Sequence, residues 1–196
     1  TADYANVSNS LGMASSPVVV GGVLVAQVEN DSESYTLGLD KKTGVNLWRL
    51  NRPKAANWTS PLALPGGLVA LQSRTGINAI RVADGTKAWS YDDGASTIPS
   101  STLRGGVLYV PSHGITALEL NKDDAGNTPR QLWQSSRLQL GTASPIVMGD
   151  RVFTVLTHCI GVKAFLGGHR RLTIHFHQPP RNTHYGSCRR HRLSHH

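Results

Sequence analysis

A hairpin pattern that returns about every 40 residues is the feature that most limits how this chain can fold. Each copy has a short apolar run, a turn pair that contains glycine, and a second apolar run. The turn pairs are 45, 39 and 44 residues apart and are Gly21-Gly22, Gly66-Gly67, Gly105-Gly106 and Gly149-Asp150. Short apolar runs between turn residues are typical of β-strands. A period of about 40 to 50 residues is typical of one four-stranded blade of a β-propeller.

A third apolar run and a turn motif follow each hairpin. The third runs are residues 35–40, 76–82, 114–120 and 161–165. After the first three, an acidic or amide side chain opens a turn, a glycine permits a tight hairpin, and a tryptophan ends the fourth strand. These motif residues are Asp40, Gly44, Trp48, Asp84, Gly85, Trp89, Asn121, Gly126 and Trp133. One large aromatic side chain per blade would fill the space against the next blade.

The predicted fold class is therefore all-β. We expect a partial β-propeller over residues 1–165, with about three complete four-stranded antiparallel blades and an incomplete fourth. A sandwich of regular short strands is the main alternative. No stretch combines helical periodicity with convincing helix caps, which argues against an α/β class.

The net charge of +8 comes mostly from one end of the sequence. Residues 1–165 hold 14 Lys and Arg against 12 Asp and Glu, whereas residues 166–196 hold six Arg, seven His and no acid. The main body therefore offers no evident basic face for nucleic acid. No apolar run reaches the roughly 20 residues that a membrane-spanning helix needs. The first 17 residues lack a basic start followed by an apolar stretch, so we expect no signal peptide in them. Two cysteines, Cys159 and Cys188, are too few to define a disulfide framework.

The turn motifs resemble the PQQ-like β-propeller repeat family, whose signature is Ala-x-Asp-x-x-Thr-Gly-x-x-x-Trp. The stretch LGLDKKTGVNLW (37–48) matches with Leu for Ala, IRVADGTKAW (80–89) matches in shortened form, and LELNKDDAGNTPRQLW (118–133) matches with Asn for Asp and an insertion. RPKAANWTSPLAL (52–64) is similar to the Trp-Ser-Thr-Pro approach to a blade seen in envelope members of this family. The resemblance covers about residues 14–165.

The resemblance implies two different functions. One branch of the family, the outer-membrane protein assembly factor, is a binding scaffold; another, the quinoprotein dehydrogenases, holds pyrroloquinoline quinone (PQQ) and calcium in about eight blades. We expect a non-catalytic, protein-binding scaffold of the bacterial periplasm or cell envelope, without a cofactor, in which the missing blades of a parent propeller complete the ring. The alternative is a fragment of a PQQ-dependent alcohol or sugar dehydrogenase, with PQQ and calcium.

The residues that suggest chemistry all have simpler interpretations. A calcium cage needs converging oxygen ligands, but Asp40 and Asp84 are explained as turn residues. Asp123-Asp124 is interpreted as an inserted hairpin tip, and Trp58 as a packing residue rather than the floor of a cofactor site. His113 is interpreted as a polar turn residue. Further acidic residues, Glu29, Asp31 and Glu33, are interpreted as a solvated loop.

Asn57-Trp58-Thr59 satisfies the glycosylation pattern, which is frequent by chance.

The fourth tryptophan is absent where the period requires it. Residues 166–196 change abruptly to His and Arg, and the alternating pattern survives only in LTIHFH. We interpret this segment as a non-repeat tail that is either out of frame or disordered. Two alternatives remain open: a basic tail for nucleic acid or anionic lipid, and a metal site. Candidate ligands for the metal site are His175, His177, His184, Cys188 and His191.

Overall fold

The computed structural model describes residue 12 and residues 14–121, 127–156, 159–164 and 173–177, with side chains up to residue 155. Predictions that involve Gly126, Asp123-Asp124, Cys188 and most of the tail lie outside these ranges. Every regular element in the described ranges is a β-strand. Within the same ranges no helix has the length and hydrophobicity needed to span a membrane.

In the part of the chain that the structure describes, sixteen strands form four antiparallel sheets, each built from four strands that are consecutive in the sequence. The first sheet contains β1 (Val18–Val20), β2 (Val23–Val28), β3 (Tyr35–Asp40) and β4 (Asn46–Asn51). The second contains β5 (Leu62–Leu64), β6 (Leu68–Ser73), β7 (Gly76–Arg81) and β8 (Lys87–Tyr91). The third contains β9 (Thr102–Arg104), β10 (Val107–Ser112), β11 (Gly114–Glu119) and β12 (Arg130–Ser135). The fourth contains β13 (Ile146–Met148), β14 (Arg151–Leu156), β15 (Cys159–Ala164) and β16 (Thr173–His177).

The sheets lie side by side in chain order. The first strand of each sheet contacts the first strand of the next, so β1 neighbours β5, β5 neighbours β9, and β9 neighbours β13. Sequential pairing within each sheet is the connectivity of a propeller blade, whereas the strands of a sandwich exchange between two sheets. The predicted all-β class is confirmed, and the described residues form a partial, open β-propeller.

The hydrophobic core consists of three layers, one in each space between neighbouring sheets. The layer between the first and second sheets contains Val25, Trp48, Val69, Leu71, Ile80 and Val82. The second layer is centred on Trp89, Leu108 and Leu118, and the third on Ile115, Leu138 and Val152. Side chains alternate along a strand, so a middle sheet supplies one set to each neighbour. A single blade therefore buries its two faces only when it has a blade on each side.

Trp48 is the wedge that the sequence predicted between the first two sheets. Its indole N–H donates to the main-chain oxygen of Val82 in the second sheet, at 2.8 Å. A Cβ at Gly85 would lie 2.8 Å from the ring, and Gly85 has a φ of +74° that other residues rarely adopt. Gly38, directly opposite Trp48 in the same sheet, leaves room for the ring, because any Cβ there would collide with it. The wedge thus depends on glycine in two sheets.

The same arrangement recurs in the next two sheets. Ala79 lies opposite Trp89 and Ala117 opposite Trp133, and a register shift follows each pair, as it follows Gly38. Trp89 is buried against the third sheet, and Trp133 is half-buried beside the fourth. A small residue opposite each tryptophan explains the alternation of small and bulky residues in the predicted third strands.

The fourth sheet departs from the sequence alignment in two ways. Its third strand begins at Cys159 and pairs so that Phe153 lies opposite Val162, whereas the alignment predicted a strand over residues 161–165. Its fourth strand, β16, lies inside the segment interpreted as a non-repeat tail, and His175 occupies the register position held by tryptophan in the other sheets. Backbone pairing of Thr173–His177 therefore extends the fourth sheet beyond residue 165.

Candidate functional site

Two ends of the sheets carry different chemistry. The turn end is defined by the glycine pairs and by the motif turns at residues 40–45 and 81–86. The loop end is defined by the loops that connect successive sheets, residues 52–61 and 92–101. The motif residues predicted from the sequence lie at the turn end, and the largest buried polar network among the described residues lies at the loop end.

At the turn end, two aspartates organise their own turns. One carboxylate oxygen of Asp40 accepts the backbone N–H groups of Lys42 (3.0 Å) and Thr43 (2.7 Å) and the Thr43 hydroxyl (2.9 Å). Asp84 accepts the hydroxyl of Thr86 at 2.7 Å and its N–H at 2.9 Å. Bonds from the Thr43 backbone lower the pKa of Asp40, and the bond from the Thr86 hydroxyl lowers that of Asp84. Both carboxylates stabilise turns, which is the role that the sequence predicted for them.

The two aspartates do not occupy equivalent positions. The N–H of Gly44 bonds to the carbonyl of Asp40, and the N–H of Gly85 bonds to the carbonyl of Arg81. Asp40 is thus matched by Arg81 in the second sheet, and Asp84 stands next to the glycine instead. Both aspartates do organise a turn, but the alignment of Asp40 with Asp84 was wrong about the residue position. In the shortened second motif the aspartate lies inside the turn, next to the glycine.

The third motif is only partly described. Asn121 lies two residues beyond the end of β11, before the insertion, and Gly126 lies outside the described residues. Trp133 packs against Tyr109, with ring centroids 6.0 Å apart and planes tilted by 54°. Burial raises the pKa of the Tyr109 phenol above its ordinary value of 10.0.

At the loop end, a buried ion pair connects the first sheet to the loop that follows it. The Arg52 guanidinium donates to Glu29 at 2.6 Å, and only 3% and 2% of the two side chains are exposed. The second carboxylate oxygen of Glu29 accepts the side-chain amide of Asn57 at 2.7 Å. A buried charge pair is tolerated when hydrogen bonds satisfy the remaining polar atoms, as they do for Glu29.

Gln72 extends this network into the loop before the third sheet. Its main-chain oxygen accepts the Asn57 amide at 2.7 Å. Its side-chain amide donates to the carbonyls of Ser96 (2.6 Å) and Pro99 (2.9 Å), and its side-chain oxygen accepts both the N–H and the hydroxyl of Ser101. One buried glutamine in the second sheet therefore fixes the loops that precede two sheets.

The interpretation of Glu29 as part of a solvated loop is wrong. The Glu33 side chain is 47% exposed, but Glu29 is buried because the chain turns back through Arg52 and places a cation beside it. Asn57 is also buried, so its side chain is committed to the network and does not present a glycosylation site. No local pattern marks Glu29 or Gln72, since their partners lie about 15 to 30 residues away in the sequence.

Two further residues lie where the sequence placed them. His113 is an exposed residue in the turn between β10 and β11. Trp58 is half-buried; its indole N–H donates to the carbonyl of Gly12 at 3.1 Å, and its backbone N–H donates to Thr97. The Trp58 contacts are those of a residue that packs between the connecting loops.

A calcium cage beside a quinone would need several oxygen ligands close together among the described residues. Among them, no group of three or more His, Cys, Asp or Glu side chains comes together. Three of the acids bind protein groups: Asp40 and Asp84 in turns, and Glu29 to Arg52. A cleft of about 10 Å³ beside Trp89, Leu64 and Leu120 has room for about one water.

A family model described as "Outer membrane protein assembly factor BamB" matches residues 10–158 of this chain. The match spans the first three sheets and reaches past β14 into the fourth. The chain belongs to the PQQ-like β-propeller family. A comparison with the curated proteins finds no significant match.

Solved structures share this fold at low sequence identity. BamB from Moraxella catarrhalis is 18% identical with a TM-score of 0.58, and the match covers 76% of this chain and 44% of BamB. The quinohemoprotein alcohol dehydrogenase ADHIIG from Pseudomonas putida HK5 is 18% identical with a TM-score of 0.51, covering 78% of this chain and 28% of the enzyme. The computationally designed Ika4 protein is 12% identical with a TM-score of 0.51, covering 85% of this chain and 93% of Ika4. The chain therefore spans less than half the length of the BamB structure it matches.

Proposed function

We propose that this PQQ-like propeller arc is a non-catalytic scaffold that binds protein partners in the bacterial cell envelope and works without PQQ. The observation that supports this most directly is the use of its polar residues. The carboxylates of Asp40 and Asp84 form turns, and those of Glu29 and its neighbours hold loops in place. The match to a family model named for an outer-membrane assembly factor supports the envelope location and the binding role.

The loop end is the surface we assign to partner binding. The backbone N–H of Trp58, in the loop before the second sheet, donates to the backbone carbonyl of Thr97 at 2.8 Å. Thr97 lies in the loop before the third sheet. Hydrogen bonds to Gln72 hold both loops in place: the Asn57 amide donates to its main-chain oxygen, and its own side-chain amide donates to the carbonyl of Ser96. Ile98, at the tip of the second loop, is 45% exposed. Rigid loops that present an apolar side chain lose little conformational freedom on binding, which favours protein recognition.

Site-specific photo-crosslinking tests this assignment. The purified chain would carry a photo-crosslinking amino acid at Ile98 or, as a control at the turn end, at Val45, which is 59% exposed. Each form would be irradiated with solubilised periplasmic and outer-membrane fractions of bacteria. We expect a discrete adduct from position 98 and none from position 45. Adducts that are the same from both positions, or absent from both, would contradict the loop-end assignment.

The second candidate function is a fragment of a quinoprotein dehydrogenase, favoured by the likeness to quinohemoprotein alcohol dehydrogenases. It is tested by titrating the chain with PQQ and calcium in a calorimeter and by assaying dye reduction with alcohols and sugars. Our proposal predicts no saturable heat and no dye reduction. Saturable binding of PQQ together with substrate-dependent dye reduction would replace the scaffold by the dehydrogenase.

A further inference from the structure

We propose that one buried water molecule completes the contact between the first and second sheets at the loop end, where it bridges Gln27, Thr36 and Arg52. The water site concerns how these two sheets are joined and does not depend on what the chain binds. Three buried polar atoms and a comparison between two neighbouring interfaces support it.

Three polar side-chain atoms at this interface are buried without a hydrogen-bond partner among the described residues. They are Oε1 of Gln27, Oγ1 of Thr36 and Nη2 of Arg52. The three residues are 4%, 0% and 7% exposed, so bulk solvent does not reach them. A buried donor or acceptor without a partner is costly. Polar groups that the protein itself leaves unpaired are typically bound by ordered water.

The register of the first sheet brings the three residues together. Gln27 lies directly opposite Thr36, which lies directly opposite Leu50. Arg52 follows Leu50 by two residues and therefore has its side chain on the same face. Its Nε atom donates to Glu29, two residues after Gln27. Leu50 packs in the core layer against the second sheet. The three unpaired atoms therefore belong to two neighbouring rows of one buried face.

The three atoms offer a water molecule the bonds that it needs. A guanidinium N–H only donates, an amide oxygen only accepts, and a hydroxyl does either. The water accepts from Arg52, donates to Gln27 and makes its third bond with Thr36, and about three bonds are usual for a buried water. A cation in this place would be repelled by Arg52, and an anion would meet Glu29 and the Gln27 oxygen. The chemistry therefore favours a small neutral molecule.

The next interface has the same glutamine position with every bond made inside the protein. Gln72 holds the register position of Gln27 in the second sheet. Its Oε1 atom accepts the backbone N–H of Ser101 at 2.9 Å and the Ser101 hydroxyl at 2.7 Å. Ser101 directly precedes β9, and the residue that directly precedes β5 is Pro61. Because proline has no N–H and no hydroxyl, Pro61 cannot give Gln27 the two bonds that Ser101 gives Gln72.

The two interfaces are aligned in the same way beside these residues. The backbone N–H of Ser16 donates to the Ser60 hydroxyl across the first interface, and that of Ser60 donates to the Ser100 hydroxyl across the second, each at 2.9 Å. Pro61 follows Ser60 as Ser101 follows Ser100, so the two residues hold equivalent positions. The different bonding of the two glutamines therefore follows from the residue before the first strand.

The residue opposite each glutamine differs as well. Ile77, opposite Gln72, is apolar, whereas Thr36, opposite Gln27, adds a hydroxyl to the first interface. The first interface thus lacks the direct donors of the second and carries an extra polar group. Both differences are what a contact bridged by water requires.

Oxygen-17 magnetic relaxation dispersion, which counts long-lived buried waters, tests the site on the purified chain. Pro61→Ser supplies an N–H and a hydroxyl to Gln27, so we expect this variant to hold one long-lived water fewer than the wild type. Pro145→Ser is the matched control: Pro145 directly precedes β13, but the third sheet has Pro111 in the place of the glutamine. The control should keep the wild-type count. Equal counts in the wild type and Pro61→Ser, or the same loss in both variants, would overturn the proposal.

Thr36→Val keeps the shape of the side chain and removes one of the three bonds to the water. We expect the water to exchange with bulk solvent faster, by up to about tenfold. Thr59→Val, which removes a hydroxyl that bonds to Asn57 at 2.9 Å, should leave the exchange rate unchanged. The same relaxation measurement gives both rates. An unchanged rate in Thr36→Val would contradict the proposed site.

A crystal structure of the wild-type chain is a further test that needs no variant. We expect an ordered water within hydrogen-bond distance of Gln27 Oε1, Thr36 Oγ1 and Arg52 Nη2. A direct hydrogen bond from the Thr36 hydroxyl to Gln27 Oε1, with no water beside Arg52, would show that the protein satisfies these atoms without a water and that the proposal is wrong.

Discussion

The two ends of the interface between the first and second sheets hold the same blades together by different means. At the turn end the contact is apolar: the Trp48 ring lies on Gly85 and makes one hydrogen bond, to Val82. At the loop end the contact is polar: Glu29 is buried with Arg52 and with the side-chain amide of Asn57. An apolar wedge needs only shape, whereas a buried charge needs every partner in place. We therefore expect the loop end to tolerate the loss of a partner less well than the turn end does.

The largest loss of stability is expected from Trp48→Ala. Removing a buried indole leaves a cavity between two sheets and should lower the free energy of unfolding by about 3 to 5 kcal/mol. Urea unfolding followed by circular dichroism measures this. Leu47→Ala, on the neighbouring exposed residue, is the control, with an expected change of under about 0.5 kcal/mol. Equal losses of unfolding free energy in the two variants would show that Trp48 does not act as a wedge between the sheets.

Glu29→Ala is expected to come next, with a loss of about 3 kcal/mol, because it leaves the Arg52 charge buried without a carboxylate. Glu33→Ala breaks the exposed pair with Arg49 and should cost less than about 1 kcal/mol. The same unfolding measurement compares the two variants. If both glutamates contribute equally, the loop end is not organised by a buried pair.

Gln72→Ala should lower the free energy of unfolding by about 2 kcal/mol, since Ser101 and two carbonyls lose their partner. Gln27 holds the equivalent position in the first sheet but makes a single long bond of 3.5 Å from its amide to the oxygen of Gln72. Gln27→Ala should therefore cost clearly less. Protection of the Ser101 amide in hydrogen exchange should also fall in the Gln72 variant alone. If Gln27→Ala and Gln72→Ala lower the free energy of unfolding by the same amount, the network is not centred on Gln72.

The smallest effect is expected at the turn end, from Asp40→Ala. The pKa of Asp40 is lowered from 3.8 in the folded chain, so its carboxylate stabilises the fold above that pH and ceases to do so as the pH falls through the lowered value. The unfolding midpoints of the wild type and the variant should differ at pH 7 and converge as the pH falls from 3.8 through the lowered pKa. Asp84→Ala should behave in the same way. A difference that persists unchanged to low pH would mean that Asp40 acts through something other than its charge.

Local pattern predicted most of the fold and the turn end. Strands, glycine turns and tryptophans repeat in the sequence because each blade solves the same problem with residues near one another in the chain. The wedge was predictable at Trp48, although its partners Val82 and Gly85 were not. The loop-end site was not predictable, because Glu29 in an acidic, polar stretch has the local signature of a solvated loop. The fourth sheet shows the same limit, because the register of its third strand differs from the register that sequence similarity predicted.

The sequence alone determined the all-β class, the blade period and the turns, since turn chemistry and strand alternation act over a few residues. Only the tertiary structure decided which polar residues are buried and which apolar faces remain open. Burial of Glu29 depends on Arg52 and Asn57 arriving from a later loop. Exposure of Met148 likewise depends on the absence of a neighbouring blade beside it among the described residues. Both are properties of the arrangement of sheets, and no single stretch of the chain contains them.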